Sequence, residues 1–375
     1  MQNPAAILKE SGCHFYYCSF SALDRYFGIR EPGNLYLLTD ASLVELVKAF
    51  EALRFSASPL EDASLSYGEV EVIFRCYDEL ESPPPVLFTV QELLYDPDGG
   101  CFLDPKGIYP HLRLKELQLK PGPDDPLIRL SEAAKIVSRY HYELPPSAVP
   151  SPLPPSEPSR EFQRRLLAGI LLGRHPEKGL SLLYASGFVE AFLPELHTMS
   201  SIPQSKEHHP EGNAWVHTLE TFKYRKASDL TLSLALLLHD VGKPSATGTA
   251  EKPFDGHAEL GAEIAYRFLR RLDFSQEIVQ GVTYLVRYHM MPAALKRMPV
   301  YRTERIMSSA LFPLLLELYR ADLCASYRSP AGYYDACRIY RSFLKHRSNP
   351  YRRSDGRKQT RRGFEERALA FYRQE

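Results

Sequence analysis

The pattern of hydrophobic and polar positions changes along the chain. In the first part, short runs rich in β-branched and aromatic residues, at 34–39, 69–75 and 86–90, are typical of strands. Residues 42–53 instead begin on a serine suited to cap a helix, and their apolar positions recur at helical spacing. After about residue 160 the helical spacing dominates. The pattern predicts an α+β protein in which a small mixed α/β head precedes an all-α body.

A proline-rich stretch separates these two parts. Residues 143–159 hold seven prolines, and such a composition is typical of an extended, semi-rigid spacer. The alternative is a long loop packed on the surface, which would place a domain boundary at the same point. The sequence therefore predicts a linker over 145–159.

In the helical part, histidines and aspartates interrupt the apolar stripes. His289 follows Val282, Leu285 and Val286 at the spacing of one helix face, and Asp322 shares a face with three leucines in the same way. A single histidine on an apolar face is usually a hydrogen-bonded core residue. A buried aspartate, however, needs a cation or several donors, because an unpaired carboxylate is costly to bury. Six such residues share one explanation, a metal centre: His217, His239, Asp240, His257, His289 and Asp322.

The distribution of charge adds a second feature near the C-terminus. The 46 Lys and Arg residues balance the 46 Asp and Glu residues over the whole chain. Residues 338–362 nevertheless hold ten of the basic residues and a single acid, Asp355. This segment is either a contact for a polyanion such as RNA or a solvated end of the chain, and the sequence leaves both interpretations open.

Cysteine usage and hydropathy bear on the compartment. The six cysteines form no Cys-x-x-Cys pair, which argues against a disulfide framework and a thiolate zinc site and suits a reducing compartment. The N-terminus lacks a basic segment followed by an apolar one, and no apolar run approaches the ~18 residues of a membrane span. We therefore expect a cytoplasmic protein without a membrane partner.

Several longer motifs resemble one known family. They are FTVQELLYDPDGGCFLDPKGIYPHLR at 88–113, DDPLIRLSEAAKIVSRYHYEL at 124–144 and GLSLLYASGFVEAFLPEL at 179–196. Their Phe-Thr strand, Asp-Pro turns and helices resemble the tRNA nucleotidyltransferase and poly(A) polymerase family. HPEGNAWVHTLE at 209–220 and HDVGKP at 239–244 are similar to the HD domain that some bacterial members carry.

The resemblance implies a division of the chain into domains. In chain order we expect a nucleotidyltransferase-like head over 1–120, a neck helix over 121–144, the linker over 145–159, a helical body over 160–205, an HD domain over 206–335 and a basic tail over 336–375.

The head departs from the family pattern where its chemistry would lie. A nucleotidyltransferase holds two metals between paired carboxylates, and this chain has Asn34 and Tyr36 at the two positions of the family's Asp-x-Asp. Glu71 keeps a third acidic position, but one carboxylate cannot hold two metals. Ile128 and Ser131 replace the neck arginines that select the nucleotide in the family. We therefore expect that the head has lost its nucleotidyltransferase activity.

For the HD domain, the resemblance implies a centre of one or two divalent ions. A core set of four residues would hold the first ion, and two further histidines would add a second about 3.5–4 Å away, with Asp240 shared. Imidazole and carboxylate ligands suit Mn, Fe, Co, Ni or Zn better than Mg. The core set is His217, His239, Asp240 and Asp322, and the added pair is His257 and His289.

Such a centre lowers the pKa of bound water toward ~7 and supplies hydroxide to attack phosphorus. Asp240 and Lys243 are the expected catalytic residues, since Lys243 follows Asp240 by about one turn and would neutralise the phosphate. A surface lysine at the end of a helix is the alternative for Lys243. Arg287 and His209 are further candidates for contact with the substrate, although an ordering role in its loop suits His209 equally.

These features favour a metal-dependent phosphohydrolase or phosphodiesterase that acts on the phosphate of a nucleotide or an RNA end, with tRNA among the candidate substrates. Two alternatives stay open. One is a nucleotidyltransferase or poly(A) polymerase still active on RNA 3′ ends, and the other is a catalytically silent protein that holds RNA through its head and basic tail. We expect no sequence-specific binding of DNA.

Overall fold

The structure is a computed structural model that describes residues 3–30, 33–56, 58–67, 70–79, 84–121, 125–144, 149, 153, 156–202, 212–247, 254–298, 300–326 and 329–347. The chain divides into two compact units. The first comprises Met1–Leu193 and Ala227–Asp229, and the second comprises Pro194–Lys226 and Leu230–Glu375. A mixed α/β head followed by a helical body confirms the predicted α+β class.

The described strands form one sheet in the first unit. They are β1 (Phe15–Tyr17), β2 (Leu35–Thr39), β3 (Arg54–Phe55), β4 (Ala63–Tyr67), β5 (Val70–Cys76), β6 (Leu94–Asp96) and β7 (Cys101–Leu103). Their order across the sheet is β3-β4-β5-β2-β1-β6-β7. β2 and β5 run parallel, and the other neighbouring pairs are antiparallel.

Two of the three predicted strands are confirmed, as β2 and β5, and the third is wrong. Thr89–Glu92 is a short 3₁₀ helix instead of part of a strand over 86–90. The side chain of Gln91 folds back and accepts a hydrogen bond from the backbone N–H of Phe88 at 3.1 Å. This local bond offers the backbone an alternative to a strand ladder, and the apolar composition alone could not reveal it.

Helices cover both faces of this sheet. Buried residues form two clusters, one including Leu37, Leu46 and Phe74 and the other including Leu38 and Ile136. Because side chains alternate along a strand, the neighbours Leu37 and Leu38 of β2 face opposite clusters. The helices of the first unit are α1 (Pro4–Glu10), α2 (Ser19–Tyr26), α3 (Leu43–Ala49), α4 (Tyr109–Leu114), α5 (Pro126–Tyr140), α6 (Arg160–Leu171), α7 (Pro176–Ala185) and α8 (Phe188–Phe192).

Local capping explains where several of these helices begin. Ser42 accepts a hydrogen bond from the N–H of Glu45, whose carboxylate in turn accepts from the N–H of Ser42, so the predicted cap of α3 is a full capping box. Asp125 caps α5, the helix within the predicted neck, with Pro126 in the first turn. Ser159 caps α6. Most of the predicted linker before Ser159 lies outside the described residues.

The second unit is helical in its described residues. Its helices are α9 (Pro194–His197), α10 (Ala214–Phe222), α11 (Leu230–Leu238), α12 (His257–Arg271), α13 (Gln276–Tyr288), α14 (Met291–Ala294), α15 (Val300–Met307), α16 (Phe312–Ala325) and α17 (Ala331–His346), with 3₁₀ turns at Thr198–Ser201 and Lys243–Ser245. α11 is apolar on every side and contacts α10, α13 and α16. A helix with that composition is stable only when surrounded, so α11 is the centre of the unit.

The C-terminal basic segment begins within a helix. Residues 336–346 of the predicted tail belong to α17, and residues beyond 347 lie outside the described part of the chain. The contact of this tail with RNA therefore stays a prediction. None of the described helices combines the length and the apolar run needed to cross a bilayer.

The close approach of α12 to the turn after α11 depends on Gly242. A Cβ at Gly242 would overlap the carbonyl oxygen of His257 and lie 2.5 Å from the backbone nitrogen of Gly261. We predict that Gly242→Ala destabilises the second unit by roughly 1–3 kcal/mol, because backbone cannot move aside as a flexible side chain does. Thermal unfolding followed by circular dichroism measures the loss. Gly169→Ala is the control, since the nearest atoms there belong to the flexible Lys135 side chain; equal melting temperatures for parent and Gly242→Ala would contradict the prediction.

Candidate metal centre

Five segments of the second unit bring the six predicted ligands together. His217 lies on α10 and Asp322 on α16, while His257 is the first residue of α12. His239 and Asp240 directly follow the buried helix α11, and His289 caps the C-terminus of α13. The apolar faces of these helices pack together, and the six polar side chains lie next to one another at the ends of those apolar faces.

The carboxylate of Asp240 lies between two groups of histidines. Its Oδ2 is 3.3 Å from His239 Nε2, and its Oδ1 is 3.8 Å from His257 Nε2. Among the described residues, two sets of three can each offer ligand atoms within 4.8 Å of one another. The sets are His217, His239 and Asp240, and Asp240, His257 and His289. Asp240 belongs to both, which is the arrangement that a carboxylate shared by two ions requires.

Asp322 lies beside the first of these sets. Its Oδ1 is 3.0 Å from His217 Nε2 and 4.0 Å from His239 Nε2. Burial raises the pKa of Asp322, but the adjacent His217 outweighs burial and lowers it below its usual value. The ionised carboxylate is therefore available as a ligand at neutral pH.

Backbone carbonyls set the tautomers of three of the histidines. In each case Nδ1 donates a hydrogen bond to the carbonyl oxygen of the residue three positions earlier. A carbonyl oxygen only accepts, so Nδ1 carries the hydrogen and the lone pair of the neutral ring lies on Nε2. This is the way in which proteins usually orient metal-binding histidines. The bonds are His239 to Leu236 (2.8 Å), His257 to Phe254 (2.7 Å) and His289 to Val286 (2.7 Å).

The same tautomers leave lone pairs facing each other. His257 Nε2 and His289 Nε2 are only 3.1 Å apart. Burial lowers the pKa of His289 to about 4, with a further contribution from His239, so His289 does not carry a second proton at neutral pH. His239 Nε2 is likewise buried and has no hydrogen-bond partner among the described residues. A divalent cation would accept the lone pairs of these nitrogen atoms and so remove the repulsion between them. The donor set therefore fits a metal centre of one or two ions.

Lys243 contacts the shared carboxylate directly. Its Nζ lies 2.6 Å from Asp240 Oδ2, and 5.4 Å from the centroid of the Phe254 ring. Burial raises the pKa of Asp240, but His239 and Lys243 together hold it well below its usual range. The side chain of Lys243 is 11% exposed, so this lysine belongs to the centre rather than to the open surface.

One of the predicted substrate contacts, Arg287, does not join this cluster. Arg287 is exposed, and no contact within the described chain connects it to the ligands. It precedes His289 by two positions, which on a helix is roughly 200° of rotation, so it points away from the centre. His209 lies outside the described residues.

The sequence did not predict that the carbonyl oxygens of Leu236, Phe254 and Val286 accept hydrogen bonds from the three histidines. For two of them, the position of the histidine at a helix end could have indicated this bond. His239 and His289 stand at helix C-termini, where the last carbonyls have no partner within the helix. Phe254 precedes α12, and the conformation of its loop determines whether its carbonyl oxygen can accept the hydrogen bond from His257. No residue pattern predicts that conformation.

In the head, Asn34 and Tyr36 occupy the two positions of the family's Asp-x-Asp. Tyr36 is buried on β2, and burial with the nearby Glu132 and Glu61 raises its pKa well above the usual value. It is therefore a neutral phenol. Asn34 accepts a hydrogen bond from the backbone N–H of Glu71 at 3.1 Å through its Oδ1, so its amide oxygen is already engaged.

A guanidinium pairs with two of the carboxylates near this position. Arg165 of α6 lies 2.7 Å from Glu71 Oε2 and 2.9 Å from Glu61 Oε2. Burial lowers the pKa of Arg165, but Glu61 and Glu71 raise it further and keep the charge fixed. Sequence reasoning missed this arginine, because only the tertiary packing of α6 against the sheet brings it to the two acids.

Comparison with known proteins gives a consistent assignment. The family model of the HD domain matches residues 215–317. The chain is 36% identical over 183 residues to a CC-adding tRNA nucleotidyltransferase of Thermus thermophilus, covering 46% of this chain and 41% of that protein. It is 31% identical over 259 residues to an A-adding tRNA nucleotidyltransferase of Deinococcus radiodurans, covering 63% of this chain and 58% of that protein. The chain thus spans about half the length of these curated relatives.

The fold is similar to that of a solved enzyme. The crystal structure of the Bacillus stearothermophilus CCA-adding enzyme in complex with CTP superposes with a TM-score of 0.51 at 17% identity, covering 98% of this chain and 90% of that chain. At that identity the likeness concerns the fold alone. The HD match and the sequence relatives support the assignment of the chain as a tRNA nucleotidyltransferase family protein with an HD domain, and the fold agrees with that assignment.

Proposed function

We propose that this protein performs divalent-metal-dependent phosphate chemistry on a nucleotide or an RNA. Two observations support the substrate class and the cofactor class. The relatives named above act, by their names, on tRNA. In this chain, four histidines and two aspartates converge with their ligand atoms a few ångströms apart. Nitrogen and carboxylate donors favour Mn, Fe, Co, Ni or Zn over Mg.

The HD centre is the place where the residues best support this chemistry. The observation that carries the proposal is the set of three histidines whose Nδ1 atoms are bonded to backbone carbonyls, which leaves their Nε2 atoms to face the ionised Asp240. Divalent ions held there would supply Lewis acidity toward a phosphate. Lys243 adds a positive charge beside Asp240, where the negative charge of a bound phosphate would be neutralised. The proposed reaction is hydrolysis of a phosphoester or phosphodiester on a nucleotide or an RNA end.

Nucleotidyl transfer to RNA is the second candidate, and the names of the relatives favour it more than hydrolysis. The residues of the head weigh against it. Two-metal nucleotidyl transfer needs carboxylates free to hold ions. Here Tyr36 is a neutral phenol, and Arg165 pairs with Glu61 and Glu71. We therefore infer that the head has lost this activity and place the chemistry in the HD centre.

The shared position of Asp240 gives a prediction for metal binding. Asp240→Ala should abolish binding at both sets of ligands, whereas His217→Ala and His289→Ala should each impair only one. Equilibrium dialysis against Mn²⁺, followed by metal analysis, measures the number of ions bound per chain. His111→Ala, a surface histidine of the first unit, is the control. If His217→Ala and His289→Ala each removed every bound ion, or neither removed any, the division into two sets would be wrong.

Activity assays separate the two candidate functions. We expect the parent with Mn, Co or Ni to hydrolyse an aryl phosphodiester, a 2′,3′-cyclic nucleotide or a nucleoside phosphate. Asp240→Ala should lose at least about 100-fold, since loss of an outer-shell partner alone costs 10–100-fold. Lys243→Met should retain its metal and lose roughly 100-fold in rate. Incorporation of labelled CTP or ATP into RNA by a protein without hydrolytic activity would decide for nucleotidyl transfer instead.

The ion pairs of Arg165 give a prediction for the head. Arg165→Met should destabilise the first unit by about 3 kcal/mol, because two largely buried carboxylates lose their nearest cation and Glu71 keeps only Arg164, at 3.8 Å. The double variant Arg165→Met/Glu71→Gln should recover part of this loss, since it removes one of the two charges that Arg165 no longer neutralises. Calorimetric unfolding of the full chain measures both. Unchanged stability in Arg165→Met, or no recovery in the double variant, would show that the guanidinium does not neutralise these acids.

A further inference from the structure

One edge of the head sheet presents a row of aromatic side chains. Tyr17 of β1 is the register partner of Tyr95 of β6, and Tyr95 is the partner of Phe102 of β7. Direct partners lie side by side on one face of a sheet. Tyr26 of α2 and Tyr109 of α4 continue the row. We call these five residues, Tyr17, Tyr95, Phe102, Tyr26 and Tyr109, the aromatic ridge.

The rings of the aromatic ridge are continuous and accessible. Successive ring centroids, in the order given, are 6.2, 5.0, 5.8 and 6.4 Å apart. Phe102 is 41% exposed and Tyr109 is 53% exposed, and the other three are partly exposed. The contacts of Phe102 with Tyr95 and Tyr26, and of Tyr26 with Tyr109, are close to edge-on, with interplanar angles of 65–86°. In an edge-on pair the edge of one ring covers a single face of the other, and the exposed surface of Phe102 and Tyr109 remains accessible to a further planar group.

Two arginines accompany the rings. The guanidinium of Arg25 stacks 4.4 Å from the ring centroid of Tyr17 and 4.5 Å from that of Tyr95. Arg113 is close enough to Tyr26 to lower its pKa, against the larger rise from burial and from Tyr109. Within the described part of the chain neither arginine is paired with a carboxylate.

The nearby acid of the β6–β7 turn does not cancel these charges. Asp98 is paired with Lys9 and is therefore already neutralised within the head. The aromatic ridge thus combines the exposed rings of Phe102 and Tyr109 with two exposed cations that have no anionic partner in the described chain. A ligand that satisfies both must carry planar groups and negative charge in alternation.

We propose that the aromatic ridge binds single-stranded RNA. Bases stack on aromatic faces without sequence preference, and guanidinium groups contact the phosphates between them. A purely apolar protein partner would leave Arg25 and Arg113 buried and unpaired, which is costly. The choice of RNA over DNA rests on the family assignment, while the binding itself does not depend on the proposed hydrolysis in the HD centre.

The test measures binding by the full chain in the presence of EDTA, so that metal-dependent hydrolysis plays no part. A fluorescent single-stranded RNA of about ten nucleotides is titrated and followed by anisotropy. We expect Phe102→Ala/Tyr109→Ala to weaken binding by about 30-fold or more, since loss of each stacked base costs roughly 5–150-fold. Tyr266→Ala, which removes a 45% exposed ring of the second unit, should bind as the parent does.

Two further readouts separate stacking from a structural effect. Arg25→Gln should reduce the steepness of the salt dependence by about 0.7 in log–log slope, the value of one phosphate contact on a single strand. A 2-aminopurine base in the RNA should lose fluorescence on binding to the parent and keep it with the double variant. Circular dichroism melting verifies that the variants are folded.

Several outcomes would overturn the proposal. They are absence of RNA binding by the parent at low salt, equal affinity of the parent and the double variant, and equal affinity of the parent for single- and double-stranded RNA. Loss of self-association in the double variant, with RNA affinity unchanged, would instead assign the aromatic ridge to contacts between protein chains. None of these results bears on hydrolysis, which the Asp240→Ala assays test separately.

Discussion

The second unit depends on one buried carboxylate that several elements must approach. Asp240 lies at the end of α11, the most apolar helix, with His239 and Lys243 beside it and His257 facing it from α12. Each of the helices that surround α11 contributes a ligand through its apolar face. A cation bound among them would therefore cross-link the elements that form the core. Binding energy of that kind is also folding energy, because the unfolded chain offers no assembled site.

Both units contain buried carboxylates whose negative charge must be neutralised, and they differ in the cation that does so. In the head, the carboxylates of Glu61 and Glu71 are neutralised by Arg165, a cation that belongs to the chain and cannot be exchanged. In the HD centre, facing lone pairs and an ionised carboxylate require a cation from outside. An arginine supplies charge but no vacant coordination position. The pairing with arginine therefore stabilises the fold, whereas a metal ion would also offer a coordination position to a further ligand.

The sequence pointed to side chains that converge in the candidate metal centre, but not to the groups that surround them. His289 and Asp322 stood out because a polar residue on an apolar helix face requires a partner, and periodicity alone places it there. The strand expected over 86–90 failed because a side-chain bond of Gln91 competes with the ladder. Arg165 and the aromatic ridge could not be foreseen, since both depend on contacts between segments distant in sequence. In particular, the neighbours Tyr17, Tyr95 and Phe102 are set by strand register, which composition does not determine.

Likeness to the tRNA nucleotidyltransferase family and the chemistry of this chain are separate questions. The fold depends on the many buried residues that form the two cores of the head. Two-metal nucleotidyl transfer, in contrast, depends on a few carboxylates. Asn34 and Tyr36 are both accommodated in the head, since the buried phenol packs against Phe20 and the amide oxygen accepts a hydrogen bond from the backbone of Glu71. The proposed confinement of metal chemistry to the HD centre is therefore compatible with an intact head fold.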